Sequence, residues 1–328
     1  IGLAKSALHA PSLGPAIMIA SASAVFMVRN GFLMGALTGL ESFRSLGLSG
    51  MFSGCTYLAL TVGGAVLDGV RGAALGLGLS LALQCAVLTF ALHRERISQL
   101  LARGAASFWL ERRLLMRFAV PAALSGFSTV PVLWAVQAFL ARSPNSFGEV
   151  AVYSAGLNLL VMVMFTPTIL NGLAMAWINR TNVVEGDAAY RSALRTNVAV
   201  NAAIVVCALL VMAAIGPTLL GLFGKDFRSG YVPLLLLLAA ALPEVVTNAL
   251  NQSLQKRERM WHSFLAINVP RDIVIITVAF LLVPTMGATG AAIAYLSGRV
   301  VALCAMYLLV RDELRKPIAP TGNIATGR

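Results

Sequence analysis

About nine long apolar segments, separated by short loops, take up most of this chain and leave few folds open to it. Each approaches or exceeds the ~20 residues an α-helix needs to cross a bilayer. In hydrocarbon the backbone must satisfy its own hydrogen bonds, and long uninterrupted runs do so as helices rather than as barrel strands. The pattern predicts spans at roughly 11–36, 46–67, 71–92, 117–141, 148–176, 196–217, 231–253, 262–284 and 287–310. Composition agrees, with 58% hydrophobic and 12% charged residues and a mean hydropathy of +0.82, against roughly 25% charged in a soluble domain. The expected fold class is all-α, a polytopic membrane helix bundle.

The net charge of +12 could suggest a nucleic-acid partner, but its distribution points to topology. With the C-terminus in the cytoplasm, seventeen Lys and Arg residues fall on that side, among them Arg94, Arg96, Arg112, Arg113, Arg195, Lys256 and Arg311. Only five, Lys5, Arg71, Arg142, Lys225 and Arg228, fall on the other. This is the positive-inside bias, so no nucleic acid is expected and the protein is read as multi-pass with a cytoplasmic C-terminus. Cys55, Cys85, Cys207 and Cys304 lie inside predicted helices and read as small buried apolar residues, without disulfide or metal-ligand spacing. His9, His93 and His262 form no cluster. No metal, no cofactor and no catalytic constellation is expected.

The polar stretch at 93–116 divides three N-terminal spans from six C-terminal ones. Ile97, Leu100, Leu101, Phe108 and Leu115 fall on one helical face among arginines, which suits an amphipathic linker on the cytoplasmic leaflet. The expected organisation is residues 1–92 as the C-terminal half of a first lobe, 93–116 as the linker, 117–310 as a second lobe of six helices, and 311–328 as a cytoplasmic tail. An internal repeat supports two lobes. Leu40 in Gly-Leu-Glu-Ser-Phe-Arg and Leu254 in Ser-Leu-Gln-Lys-Arg-Glu are 214 residues apart, and the glycine-rich runs opening at Gly72 and Gly287 are 215 apart. Spans 1–3 and 7–9 are then equivalent, and the first lobe is expected to have three further helices before Ile1. The small-residue ridge Gly31, Gly35, Gly39 is expected to let a partner helix approach closely.

Three arginines, Arg29, Arg271 and Arg299, sit inside the apolar segments. A charge at a helix centre costs about 2.5–3.5 kcal/mol on insertion scales, so such a residue faces the protein interior or a wet cavity and marks a candidate site. Arg271 follows Pro270, which removes a backbone donor and bends the helix, and a broken helix carrying a midplane charge is a pointer to a transporter site. A local pair with Asp272 that only locks helices together is an equal alternative. Arg299 lies near the middle of the last span. Arg29 could snorkel toward the membrane surface, and by the repeat it corresponds to within one position of Glu244. Asp272 and Glu244 are the acids well inside helices, as coupling or gate groups or as simple neutralisers of arginines.

Four stretches give the chain a resemblance to a known group. These are Phe118-Ala119-Val120-Pro121-Ala122-Ala123-Leu124-Ser125, the run from Phe147 to Ala155, the run from Pro217 to Phe227, and Pro284-Thr285-Met286-Gly287-Ala288-Thr289-Gly290-Ala291. In order and spacing they resemble the second lobe of polysaccharide-type flippases (O-antigen and exopolysaccharide translocases) of the multidrug/oligosaccharidyl-lipid/polysaccharide exporter superfamily. The resemblance implies two six-helix lobes and alternating access that moves an undecaprenyl-diphosphate-linked oligosaccharide across the bacterial inner membrane. It also implies polysaccharide-assembly proteins as possible partners, membrane lipids as surroundings, and a central cavity lined by 117–141 and 148–176. Trp134, Gln137, Tyr153 and Asn158 on those helices offer aromatic faces and amides to sugars, and the planar fork of arginine suits the diphosphate. Asn171 lies there too. An organic-cation antiporter of the same superfamily is one alternative. A membrane polysaccharide polymerase or ligase is another, but no external loop pairs a nucleophile with a base.

Overall fold

The computed structural model describes residues 14–40, 42–94, 116–117, 120–143, 146–185, 187–256 and 260–315. Every long element among them is helical, and seven helices are long and apolar enough to cross a membrane. The chain forms two compact units, residues 1–111 and 112–328. The expected linker falls almost wholly outside the described residues, as does the tail from 316.

In the first unit α1 (Gly14–Gly39) packs on α2 (Phe43–Arg94). At 1.5 Å per residue, the 52 residues of α2 would run far beyond a ~30 Å hydrocarbon layer if straight. They fold back instead at Asp68 and Gly69, the latter at φ 51°, ψ −132°, a conformation that favours glycine. The two arms touch closely: a Cβ on Gly72 would lie 1.9 Å from the Gly64 carbonyl oxygen, and one on Gly76 would lie 2.1 Å from that of Leu60. Glycine lets the arms meet backbone to backbone, so α2 supplies two spans. Leu33, Leu37, Cys85, Leu88 and Leu92 form the small core.

The second unit contains α3 (Val120–Ala141), α4 (Ser146–Glu185), α5 (Asp187–Phe223), a 3₁₀ turn (Lys225–Gly230), α6 (Tyr231–Lys256), the short α7 (Met260–Ser263), a π turn (Phe264–Asn268) and α8 (Val269–Arg315). α8 repeats the device of α2. It reverses at Gly287, φ 53°, ψ −132°, and a Cβ on Gly290 would lie 2.6 Å from the Leu282 carbonyl oxygen. Gly69 and Gly287, Gly72 and Gly290, and Gly64 and Leu282 are each 218 residues apart. The helical hairpins thus repeat, in a register three residues longer than the 215 expected from the glycine-rich runs. With both hairpins counted as two spans, the seven helices give nine spans among the described residues, in the order expected. α4 and α5 run on as helix well past 176 and before 196, because the apolar run ends where hydrocarbon ends while helix continues into water.

Prolines inside these helices are accommodated by specific partners. Pro217 cannot donate to the Ala213 carbonyl, and the Tyr231 hydroxyl donates to it instead at 2.9 Å. Ahead of Pro270 the backbone shifts to a π turn in which the Val269 N–H donates to the Phe264 carbonyl. Fully buried Ala240, Ala241, Ala291, Ala292 and Ala294 line the α6–α8 seam, where small residues bring helices close without a hydrophobic drive from water. The glycine ridge expected to do this on α1 does not: Gly31, Gly35 and Gly39 meet nothing within 4 Å among the described residues. Three cysteines also depart from expectation. Cys55, Cys207 and Cys304 are exposed, and only Cys85 is buried.

Candidate functional site

The second unit gathers its embedded charges around α6 and the two arms of α8. The π turn and Pro270 set the direction of the first arm, which carries Arg271 and Asp272. The Arg271 Nε donates to Asp272 Oδ1 at 2.7 Å and its Nη2 donates to the Thr129 hydroxyl of α3 at 3.0 Å. Both side chains are buried. Tyr295 and Arg299 lie one helical turn apart on the second arm and so share a face. Arg299 Nη2 stands 3.0 Å from Glu244 Oε1 and donates to the Tyr295 hydroxyl at 2.6 Å. The Tyr295 hydroxyl donates to Glu244 Oε2 at 3.0 Å. The guanidinium also lies 4.8 Å from the Tyr295 ring centre, a cation–π distance.

A small polar cavity of about 40 Å³ joins the two ion pairs. Asn248, Asn251, Ser263 and Asn268 line it together with Glu244, Arg271 and Arg299, and the Ser263 hydroxyl donates to Asn251 at 2.9 Å. That volume admits a few water molecules. Among the described residues the buried Arg299 Nε has no hydrogen-bond partner. Tyr153 on α4 is fully buried, its hydroxyl unpartnered, within electrostatic reach of Tyr295 and Arg299.

Five of the residues singled out in the sequence therefore meet: Arg271, Asp272, Glu244, Arg299 and Tyr153. Glu244 bonds to Arg299 within its own unit. Arg29 is exposed on α1, near the middle of that helix, and makes no ion pair among the described residues. Trp134 and Asn158 are also exposed and Gln137 is half-buried. Sequence reasoning missed Tyr295 and Thr129, although the four-residue spacing of Tyr295 and Arg299 on one helix was a usable signal. It also missed a buried amide cluster, in which Asn197 donates to Asn171 at 3.0 Å and Asn201 donates to Asn197 Oδ1 at 2.8 Å.

Among the described residues no group of three His, Cys, Asp or Glu could hold a metal ion. Three acids within the second unit's helices are engaged, while Asp68 at the α2 reversal is exposed and lines the first unit's groove. Asp272 and Glu244 hold arginines, and Glu149 of α4 accepts the Ala288 N–H at the α8 reversal, at 2.6 Å. The first unit has a different kind of opening, an apolar groove of about 840 Å³ between α1 and α2.

No protein-family model and no curated protein matches the chain. Solved structures do match its fold. A MATE family multidrug resistance transporter of the MOP superfamily, in its outward-facing conformation, aligns with TM-score 0.73 at 16% identity, over 92% of this chain and 70% of its own. The inward-facing conformation of such a transporter aligns with TM-score 0.67 at 16% identity, over 92% and 71%. A MOP superfamily transporter from Pyrococcus furiosus, described as having a binding pocket of reverse polarity that suggests a different function, aligns with TM-score 0.73 at 16% identity, over 92% and 69%. The chain has the fold of MOP superfamily transporters and is a multi-pass membrane protein.

Proposed function

We propose that this protein is a membrane transporter of the MOP superfamily that flips an undecaprenyl-diphosphate-linked oligosaccharide across the bacterial inner membrane by alternating access, with its C-terminus in the cytoplasm. The observation that carries the reading is the charge left free within the helical arms among the described residues, Asp68 lying in the turn between the two arms of α2. Asp272, Glu244 and Glu149 are bonded within the second unit, so none of them stands ready for an organic cation. Arg29 is exposed and, among the described residues, unpaired in an apolar helix, which suits an anionic head group. The sequence resemblance to polysaccharide flippases points the same way.

In this reading Arg29 contacts the diphosphate, and Trp134, Gln137 and Asn158, open on α3 and α4, contact sugars. Arg271 and Arg299 hold the second unit's interior through Asp272 and Glu244. Tyr153 backs the Tyr295–Arg299 contact. The reaction is transport without bond cleavage, and polysaccharide-assembly proteins would act beside it. The test is Arg29→Gln in cells that depend on this protein for surface polysaccharide. The expected result is loss of polymer and build-up of lipid-linked oligosaccharide with normal protein levels. Unchanged polymer in that variant would refute the assignment.

A further inference from the structure

A groove of about 490 Å³ lies between the end of α3 and the first arm of α8, lined by Phe139, Arg142, Ser143, Phe280, Leu281 and Pro284. Its size falls in the ~300–1,000 Å³ range of ligand sites. Its level in the membrane follows from chain geometry. α3 has 22 residues, roughly 33 Å at 1.5 Å per residue, and Arg142 comes directly after it. Pro284 lies three residues before the Gly287 reversal, so both walls end at one membrane–water boundary. The lower walls are apolar: Phe139 and Phe280 meet edge to face with centroids 6.0 Å apart, and Phe280 and Leu281 are well exposed.

The rim is polar. Arg142 is exposed and forms no ion pair among the described residues, where Glu149 accepts the Ala288 N–H. Pro284 has no N–H for the Phe280 carbonyl four residues back, which adds an acceptor beside the Arg142 donors, while the Ser143 hydroxyl donates to the Leu140 carbonyl at 2.7 Å. An apolar trough under one unneutralised guanidinium matches a phosphate-bearing amphiphile whose chain lies in the bilayer.

We propose that this groove binds an anionic phospholipid of the surrounding membrane, with its phosphate on Arg142 and an acyl chain between Phe139, Phe280 and Leu281. The inference does not depend on the transported substrate. Purified protein is titrated with phosphatidylglycerol or phosphatidylcholine of the same acyl chains and binding is read by native mass spectrometry. One basic group near an anionic surface implies a preference of roughly fivefold for phosphatidylglycerol. That preference should vanish in Arg142→Gln, persist in Arg142→Lys and leave the thermal midpoint of both variants unchanged. Equal binding of the two lipids, or an unaltered preference in Arg142→Gln, would overturn the proposal. So would displacement of bound phosphatidylglycerol by an equal concentration of undecaprenyl diphosphate, which would give the groove to the substrate.

Discussion

Glu244→Gln isolates what the Arg299–Glu244–Tyr295 cluster contributes. Glutamine keeps an acceptor for the Tyr295 hydroxyl but withdraws the charge that neutralises Arg299, whose side chain is only 11% exposed. Removing one partner of a buried ion pair costs about 3–5 kcal/mol, because the other charge stays buried. The adjoining cavity of about 40 Å³ can hydrate the stranded guanidinium, which favours the lower half of that range. For a unit of this size each kcal/mol moves the melting midpoint by roughly 2–4 °C, so the full range corresponds to roughly 6–20 °C. The assay is loss of monodisperse protein on heating in detergent, with Glu244→Leu/Arg299→Met as the second arm. That double replacement removes both charges and should recover most of the loss, since buried pairs are often no more stable than apolar substitutes. A single variant within about 2 °C of wild type, or a double variant as damaged as the single, would refute the reasoning.

Other substitutions separate backbone from packing effects. Gly287→Ala and Gly69→Ala both place a side chain at positive φ, at a cost of about 1–3 kcal/mol. Only the former also meets Glu149, whose Oε2 lies 2.6 Å from the new Cβ, so its midpoint should fall further; equal losses would remove Glu149 from the account of the turn. Gly72→Ala drives a Cβ into the Gly64 carbonyl and should sharply lower folded yield, while Gly47→Ala, with nothing within 4 Å, should be neutral or stabilising; expression with size-exclusion profiles reads both. Thr129→Val removes a hydrogen bond to a charged group and should cost about 1.5–3 kcal/mol, seen as a lower midpoint than in Ser128→Ala.

The spans were legible because lipid demands long apolar runs, and both reversals were legible because Asp68-Gly69 and Pro284 through Gly287 interrupt such runs. The far reaches of α4 and α5 were not, since polar helix in water carries no apolar signal. The repeat was visible but its register was not: Gly72 matched Gly287 by composition, whereas the shared backbone turn pairs Gly69 with Gly287. Of the site, the arginines and acids were visible as costly residues. Their pairing was not, because Glu244 meets Arg299 only after α6 packs on the second arm of α8, and Glu149 meets Ala288 across 139 residues. The local pair Arg271–Asp272 could be anticipated as one alternative, since adjacency alone permits it.

The most direct measurement reconstitutes the protein in vesicles with a fluorescent undecaprenyl-diphosphate-linked oligosaccharide and follows the label's exposure to an impermeant quencher. The account predicts protein-dependent movement of the lipid between leaflets, abolished in Arg29→Gln, and no protein-dependent release of a loaded organic cation such as ethidium. Cation release without lipid movement would contradict it and favour the multidrug alternative.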